Sequence, residues 1–384
     1  PHDIGDKTYY DLKGKILIKD RKKEISGYIV NWDQEGCFFY SKDLPEKRNK
    51  GKLTLVIEFE GLVFSQDAEI VTSYFNGIGL RFVIKKKENY LMKPIYLDYQ
   101  STTPTNSDVV KKMIPYFSEV YGNPHSSNHK YGIKASEAIE NGRKKIAKVI
   151  GSDPEEIIFT SGATESNNLA IKGSFLYRFK NHNRKKIIIA STEHKCVIEA
   201  SNSLTSIGAE VIIIKVNEDG EVNLRQLKDK IDDEVALVSI MLANNEIGVI
   251  QPIEKIAKIC KEHNVWLHSD AAQAIGNIDV KVNSLGLDLM SISSHKLYGP
   301  KGIGCLFVRR RPRVRLFPQI DGGGQERLMR SGTLPTPLVV GFSEAMEIID
   351  KNLKPLSTRI LIPICNEFRQ KNSAKLVSLA PFIF

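Results

Sequence analysis

No apolar run in these 384 residues is long enough to span a bilayer, and no early stretch has the basic-then-apolar texture of a signal peptide. A chain outside the membrane is therefore expected. Cysteine is scarce: Cys37, Cys196, Cys260, Cys305 and Cys365 are odd in number, far apart and never in a C-x-x-C pair. That excludes a disulfide framework and a thiolate zinc site, and fits reduced thiols. Aromatic residues make up only 8% of the chain, and few are interleaved with its basic residues. The net charge of +10, with clusters at 85–87 and 309–315, thus reads as solvated surface rather than as a direct nucleic-acid groove. Internal repeats and low-complexity tracts are also missing.

What is present changes texture along the chain. Residues 1–91 carry short runs rich in β-branched and aromatic residues: "EISGYIVNW", "GCFFYS", "LTLVIEFEGLVFS", "AEIVTSYF" and "GIGLRFVI". Polar turns separate them, which predicts a small all-β barrel or sandwich. A charged linker, "KKKENYLMKP", follows. From residue 94 to 350, apolar strands alternate with helical stretches, as in "KKIIIAST" before "CVIEASNSL" and "VALVSIMLAN" before "IEKIAKICKEH". Strands apolar on both faces and separated by helices predict an α/β domain with a mainly parallel sheet, whose ligands collect at the carboxyl ends of its strands. Residues 351–384 fit neither pattern; Pro355 and Pro363 interrupt a would-be helix.

Five groups of residues carry chemistry. "FTSGATESNNLAIKG" places a strand, a tight turn and a helix in order, so Gly162, Ala163 and Thr164 offer backbone amides and a hydroxyl to a phosphate; an ordinary helix cap is the alternative. His194 in "STEHKCV", Asn245 in "LANNEIGV", and Asp270 with Gln273 in "LHSDAAQ" all stand at predicted strand ends. Turn or capping roles are open for each. Lys296, in "SISSHKLYGPKGIGCLFV", lies between a buried-type strand and a rigid glycine- and proline-bearing turn. An amine that condenses with a carbonyl must be accurately placed and partly neutral, which this setting favours. Ser293 and His295 lie close enough in sequence to help hold a phosphate.

These segments together, with "IYLDYQSTTPT", "YGNPHSSNHKYG" and "DGGGQERLMRSGTLP", resemble the cysteine desulfurase family of pyridoxal-phosphate (PLP) enzymes. The resemblance implies the fold-type I transferase architecture and PLP as cofactor. It implies that Lys296 holds PLP covalently, that His194 stacks on its ring and moves protons, and that Asp270 pairs with the ring nitrogen. Gln273 would bond the phenolic oxygen, Asn245 would lie by the ring and the substrate carboxylate, and Ala163, Thr164, Ser293 and His295 would hold the phosphate. Thr333, in "RSGT", would reach the phosphate in a partner subunit, so a homodimer is implied. L-Cysteine would be converted to L-alanine, with sulfur passing to an iron–sulfur scaffold or a tRNA-thiolation partner. Another class V aminotransferase or a selenocysteine lyase is the second enzyme reading.

The family's sulfur-accepting cysteine belongs in a serine-rich loop beyond "RSGT". Cys365, the only cysteine after Thr333, lies in an unlike context, "IPICNEF". Cys196 and Cys305 are expected to pack. A degenerate product, a partial sequence, or a partner supplying the missing part would each explain this; the tail's loss of helical patterning favours the first two. The expectation is PLP binding without persulfide turnover. The N-terminal segment resembles a PilZ domain, a barrel that often binds cyclic di-GMP. Asn31 and Gly36 fit that pattern, but Asp33 replaces its serine and Arg21 lacks an arginine partner, so a ligand-free barrel is expected. A non-catalytic nucleotide-responsive or scaffold protein is the remaining reading.

Overall fold

The computed structural model describes residues 12–18, 23–30, 36–44, 52–59, 62–74, 77–82, 96 and 98–356. Arg21, Asn31, Asp33, Pro363 and Cys365, on which several expectations rested, lie outside them. The chain divides into two compact units, Pro1–Ile95 and Tyr96–Phe384.

In the first unit, six antiparallel strands close into a barrel in the order β1-β2-β3-β6-β5-β4. They are β1 (Leu12–Ile18), β2 (Lys23–Val30), β3 (Gly36–Tyr40), β4 (Lys52–Phe59), β5 (Leu62–Tyr74) and β6 (Gly77–Phe82). Closure pairs β1 with both β2 and β4, leaving no open edge. Alternate residues face inward, so Ile25, Ile29, Phe39, Leu53, Leu55, Ile78 and Leu80 form one core. The sequence reading missed β1, whose lysines and glycine mask its strand character. It also took 53–65 as one run; these residues span β4 and the start of β5, which pair as a hairpin.

The second unit is three-layered. Helices α1 (Ser107–Met113), α2 (Pro115–Ser118) and α3 (Lys130–Ile150) lead into β7 (Ile157–Thr160) and α4 (Ala163–His182). Then come β8 (Lys186–Ala190), α5 (Lys195–Asn202), β9 (Glu210–Ile214), α6 (Leu224–Lys230), β10 (Val235–Ser239), α7 (Ile253–Glu262) and β11 (Trp266–Asp270). The described part ends with α8 (Val282–Leu285), β12 (Leu289–Ser293), β13 (Gly304–Val308) and α9 (Thr336–Leu356). The sheet order is β7-β13-β12-β11-β10-β8-β9. Period-2 alternation sends Ile188 and Val238 into one core and Ile187, Ile189 and Leu237 into the other.

The sheet is mixed, because β13 pairs antiparallel with both neighbours. The reason is local: the short link from Ser293 to Gly304 holds no crossover helix, and a parallel return needs one. Val339, Phe342, Ala345 and Met346 bury one stripe of α9, and the helix runs on to Leu356. Among the described residues no helix is long and apolar enough to cross a membrane.

One buried ion pair fixes the loop before α9. Arg143 donates to Glu326 at 2.7 and 2.9 Å and to the Ile157 carbonyl at 2.6 Å, while the Phe159 amide donates to Glu326 at 2.6 Å. Glu326, Arg327 and Leu328 all adopt positive φ, a conformation that such external anchoring sustains.

Candidate active site

The parallel strands deliver their carboxyl ends to one side of the sheet, and a cavity of about 590 Å³ lies there. Ala163, Thr164, His194 and Asn245 line it, as do Asp270, Gln273, Ser293, His295 and Lys296. Thr333 does not line it and is exposed.

The wall made by α4 begins with Gly162, at φ 151°, a conformation that strains residues bearing a side chain. A Cβ built there meets nothing within 4 Å, so the backbone faces open cavity. Gly304 of β13 passes so close that a Cβ on it would lie 2.8 Å from the Gly162 Cα. No side chain caps the helix, and no hydrogen bond among the described residues uses the amides of Ala163 or Thr164. Unsatisfied amides and the positive end of a 20-residue helix together favour an anion.

Asp270 ends β11 and is 5% exposed. Asn167 Nδ2 donates to its Oδ2 at 2.7 Å, and the Ala272 amide donates to its Oδ1 at 2.9 Å. Both oxygens are thus oriented, and the carboxylate still borders the cavity. Gln273 Nε2 donates to the Gln100 carbonyl at 2.8 Å. His194 caps α5, its Nδ1 accepting the Cys196 amide at 3.1 Å. That contact places the ring proton on Nε2 in the neutral imidazole.

Lys296 follows β12 in a turn pinned from two directions. Thr103 Oγ1 accepts the Tyr298 amide at 2.8 Å, and the Gly299 amide donates to Ser294 O at 3.2 Å. A Cβ at Gly299 would strike Ser294 Oγ, so the tight turn requires glycine there. Burial holds the Lys296 amine below the ordinary lysine value, against the opposing pull of Asp270. Its neutral fraction is therefore raised, as a carbonyl-directed nucleophile requires. Neighbouring His295 is lowered by burial and by Lys296 and Lys301, and its Nδ1 lies 3.0 Å from Thr102 Oγ1.

Sequence reasoning missed three members of the site. Asn167 lies four residues after Ala163, so helical periodicity already set it on the cavity side. Cys196, expected only to pack, lines the cavity, with Sγ 3.0 Å from both His194 Nδ1 and Asn167 Nδ2. Burial raises its thiol, so the neutral form prevails at neutral pH. Cys305 does pack, fully buried. Glu193 is buried beside Asp270; its Oε1 accepts the Met241 amide at 2.8 Å, and burial keeps its carboxyl well above the usual range. Nothing in the sequence distinguishes it from a surface glutamate.

The profile of the aminotransferase class-V family matches residues 95–357. The chain is 51% identical over 293 residues to the mitochondrial cysteine desulfurase of Eremothecium gossypii, covering 74% of this chain and 59% of that protein. It is 55% identical over 258 residues to the cysteine desulfurase IscS of Rickettsia prowazekii, covering 67% and 62%. This chain thus spans about three fifths of the length of these curated relatives. Among solved structures, "SspA in complex with cysteine" matches with TM-score 0.63 at 42% identity, covering 66% of this chain and 72% of that one. A NifS-like protein matches with TM-score 0.65 at 42% identity, covering 67% and 70%. With its cavity, its lysine turn and a match over most of its length, the chain belongs to the class-V aminotransferase family.

Proposed function

We propose that this chain carries the cofactor-binding part of a PLP-dependent cysteine desulfurase, which releases sulfur from L-cysteine and leaves L-alanine. Class-V aminotransferases are PLP-dependent, and the residues here fit that cofactor. One observation carries the reading: a single cavity collects an amine of lowered basicity, a doubly oriented buried carboxylate and a glycine-opened anion cradle. A phosphate fits the open backbone at Gly162, a protonated ring nitrogen fits Asp270, and an aldehyde fits Lys296.

The bound cofactor supplies an electron sink for a carbanion at the substrate Cα. The rest is done by the chain. Asp270, held by Asn167, would keep the ring nitrogen protonated. The amides of Ala163 and Thr164, with Ser293 and His295, would hold the phosphate. Lys296 would hold the cofactor in the unliganded site. His194, with the proton on Nε2, would move protons, and Gln273 and Asn245 would serve the phenolic oxygen and the substrate carboxylate. The relatives named cysteine desulfurases, and the neighbour solved with cysteine, support L-cysteine as substrate.

The wider reading is of a homodimer in which Thr333 completes the partner's phosphate site, with an iron–sulfur scaffold or tRNA-thiolation protein as sulfur acceptor. Cys196, Cys260 and Cys305, which form no disulfide among the described residues, suit the reducing cytoplasm. We read the N-terminal barrel as PilZ-like and ligand-free.

Reconstitution with PLP tests the reading. A visible absorbance that borohydride bleaches, absent from Lys296→Ala, is expected. Colourless wild-type protein overturns it.

A further inference from the structure

Glu165 stands in an awkward place. It lies in the first turn of α4 and lines the cavity beside the very amides that favour an anion. Its Oε2 accepts the Ser161 amide at 2.7 Å, which shapes the turn into Gly162. An uncompensated carboxylate at this position opposes a phosphate dianion through a medium that screens poorly. The compensation comes from a distant part of the chain. Arg330 Nε donates to Glu165 Oε1 at 2.8 Å, and Nη2 approaches Oε2 at 3.4 Å. Both side chains are mostly buried, at 17% and 16% exposure, so bulk water contributes little screening.

Arg330 is itself held. It follows the left-handed turn at Glu326–Leu328, which the buried Arg143–Glu326 pair anchors to α3 and β7. The next residue, Ser331, is buried, and its Oγ accepts the Gly324 amide at 3.2 Å. The guanidinium is thus delivered to Glu165 from a fixed backbone. Burial alone would raise the Glu165 carboxyl, but Arg330 and Ser161 hold it below its ordinary value, so it is charged at neutral pH.

We infer that Arg330 is a positioning residue of the phosphate cradle: it neutralises Glu165, so that this carboxylate can shape the Ser161–Gly162 turn without repelling the phosphate. This rests on the PLP reading above. It assigns Arg330 an effect specific to the phosphate and not to the rest of the cofactor.

Titration by visible absorbance with PLP and with pyridoxal, which lacks the phosphate, tests it. Arg330→Ala is expected to weaken PLP at least about tenfold and pyridoxal less than about twofold. The double variant Glu165→Gln/Arg330→Ala is expected to recover most of the PLP affinity, because the repelling charge is gone. Equal weakening of both ligands, no weakening, or no recovery in the double variant overturns the inference. Glu165→Gln alone carries the test if Arg330→Ala does not fold. It keeps an oxygen for the Ser161 amide, leaves Arg330 unopposed, and is expected to tighten PLP; weaker PLP binding overturns the inference. Wild-type protein that binds no PLP refutes the functional reading instead, whereas a wild type that binds and variants that do not shift refute this inference alone.

Discussion

Asn167 Nδ2 and Asp270 Oδ2 meet at 2.7 Å, one reaching from the second turn of α4 and the other from the last residue of β11. The helix that opens with the anion cradle therefore also orients a carboxylate that borders the same cavity. The same amide touches Cys196 Sγ at 3.0 Å, and the Cys196 backbone amide donates to His194 Nδ1 at 3.1 Å. Asn167 is thus the shared support of three elements that would contact one cofactor.

Removing that support should be felt at the ring. Asn167→Ala strips Asp270 Oδ2 of a buried donor, a loss of about 1–3 kcal/mol. PLP affinity should fall, and the visible band should move as the ring nitrogen loses a fixed partner. Asn167→Asp sets a second carboxyl against the first and should weaken PLP more than alanine does. Equal losses would assign Asn167 to packing alone. Absorbance titration of the three proteins decides between these outcomes.

The approach of β13 to the cradle makes a second prediction. A Cβ at Gly304 would strike Ile292 O and lie 2.8 Å from Gly162 Cα, both backbone atoms with little freedom to yield. Gly304→Ala should therefore destabilise the fold by about 1–3 kcal/mol and also loosen PLP. Gly162→Ala meets no neighbour but carries the strain of φ 151°, also about 1–3 kcal/mol. Urea unfolding and PLP titration on both variants check the pair.

Arg143 and Glu326 give the clearest stability prediction. The two side chains are 5% and 2% exposed, and each also satisfies a backbone group of β7. Glu326→Ala leaves the buried Arg143 guanidinium with only Glu140 and the Ile157 carbonyl, strands the Phe159 amide, and should cost about 3–5 kcal/mol. Arg143→Met/Glu326→Leu removes both charges and should cost less than the single change. Urea denaturation of the single and double variants measures the difference.

The element pattern of the second unit was legible because its strands are short apolar blocks such as "KKIIIAST" and its helices carry period-3.6 stripes. Asp270 was legible because it ends such a strand, and Lys296 because it follows one in a glycine- and proline-bearing turn. The reversal of β13 was hidden in a link length. β1 was hidden in a lysine-rich run whose pairing depends on distant β4. Glu193 and the Glu165–Arg330 pair were illegible for a common reason: burial, and contact across 165 residues, decide their roles, and no local spacing records either.

His268 supplies the pH prediction. It lies wholly inside the sheet, with Ser239 Oγ 2.8 Å from Nδ1 and Ser291 Oγ 2.9 Å from Nε2. Burial pushes its imidazole down to about 3 from an ordinary 6.5. Between these values the unfolded chain binds a proton that the folded chain refuses. Its contribution to stability is therefore complete above pH 6.5, falls as the pH drops towards 3, and is flat below. His268→Gln cannot titrate and should remove up to one proton from the slope of stability against pH in that window. It should also destabilise the fold at neutral pH by about 1–3 kcal/mol through imperfect bonding to the two serines. Denaturant unfolding of both proteins across the acid range measures the slopes, and parallel curves would mean that His268 is protonated inside the fold.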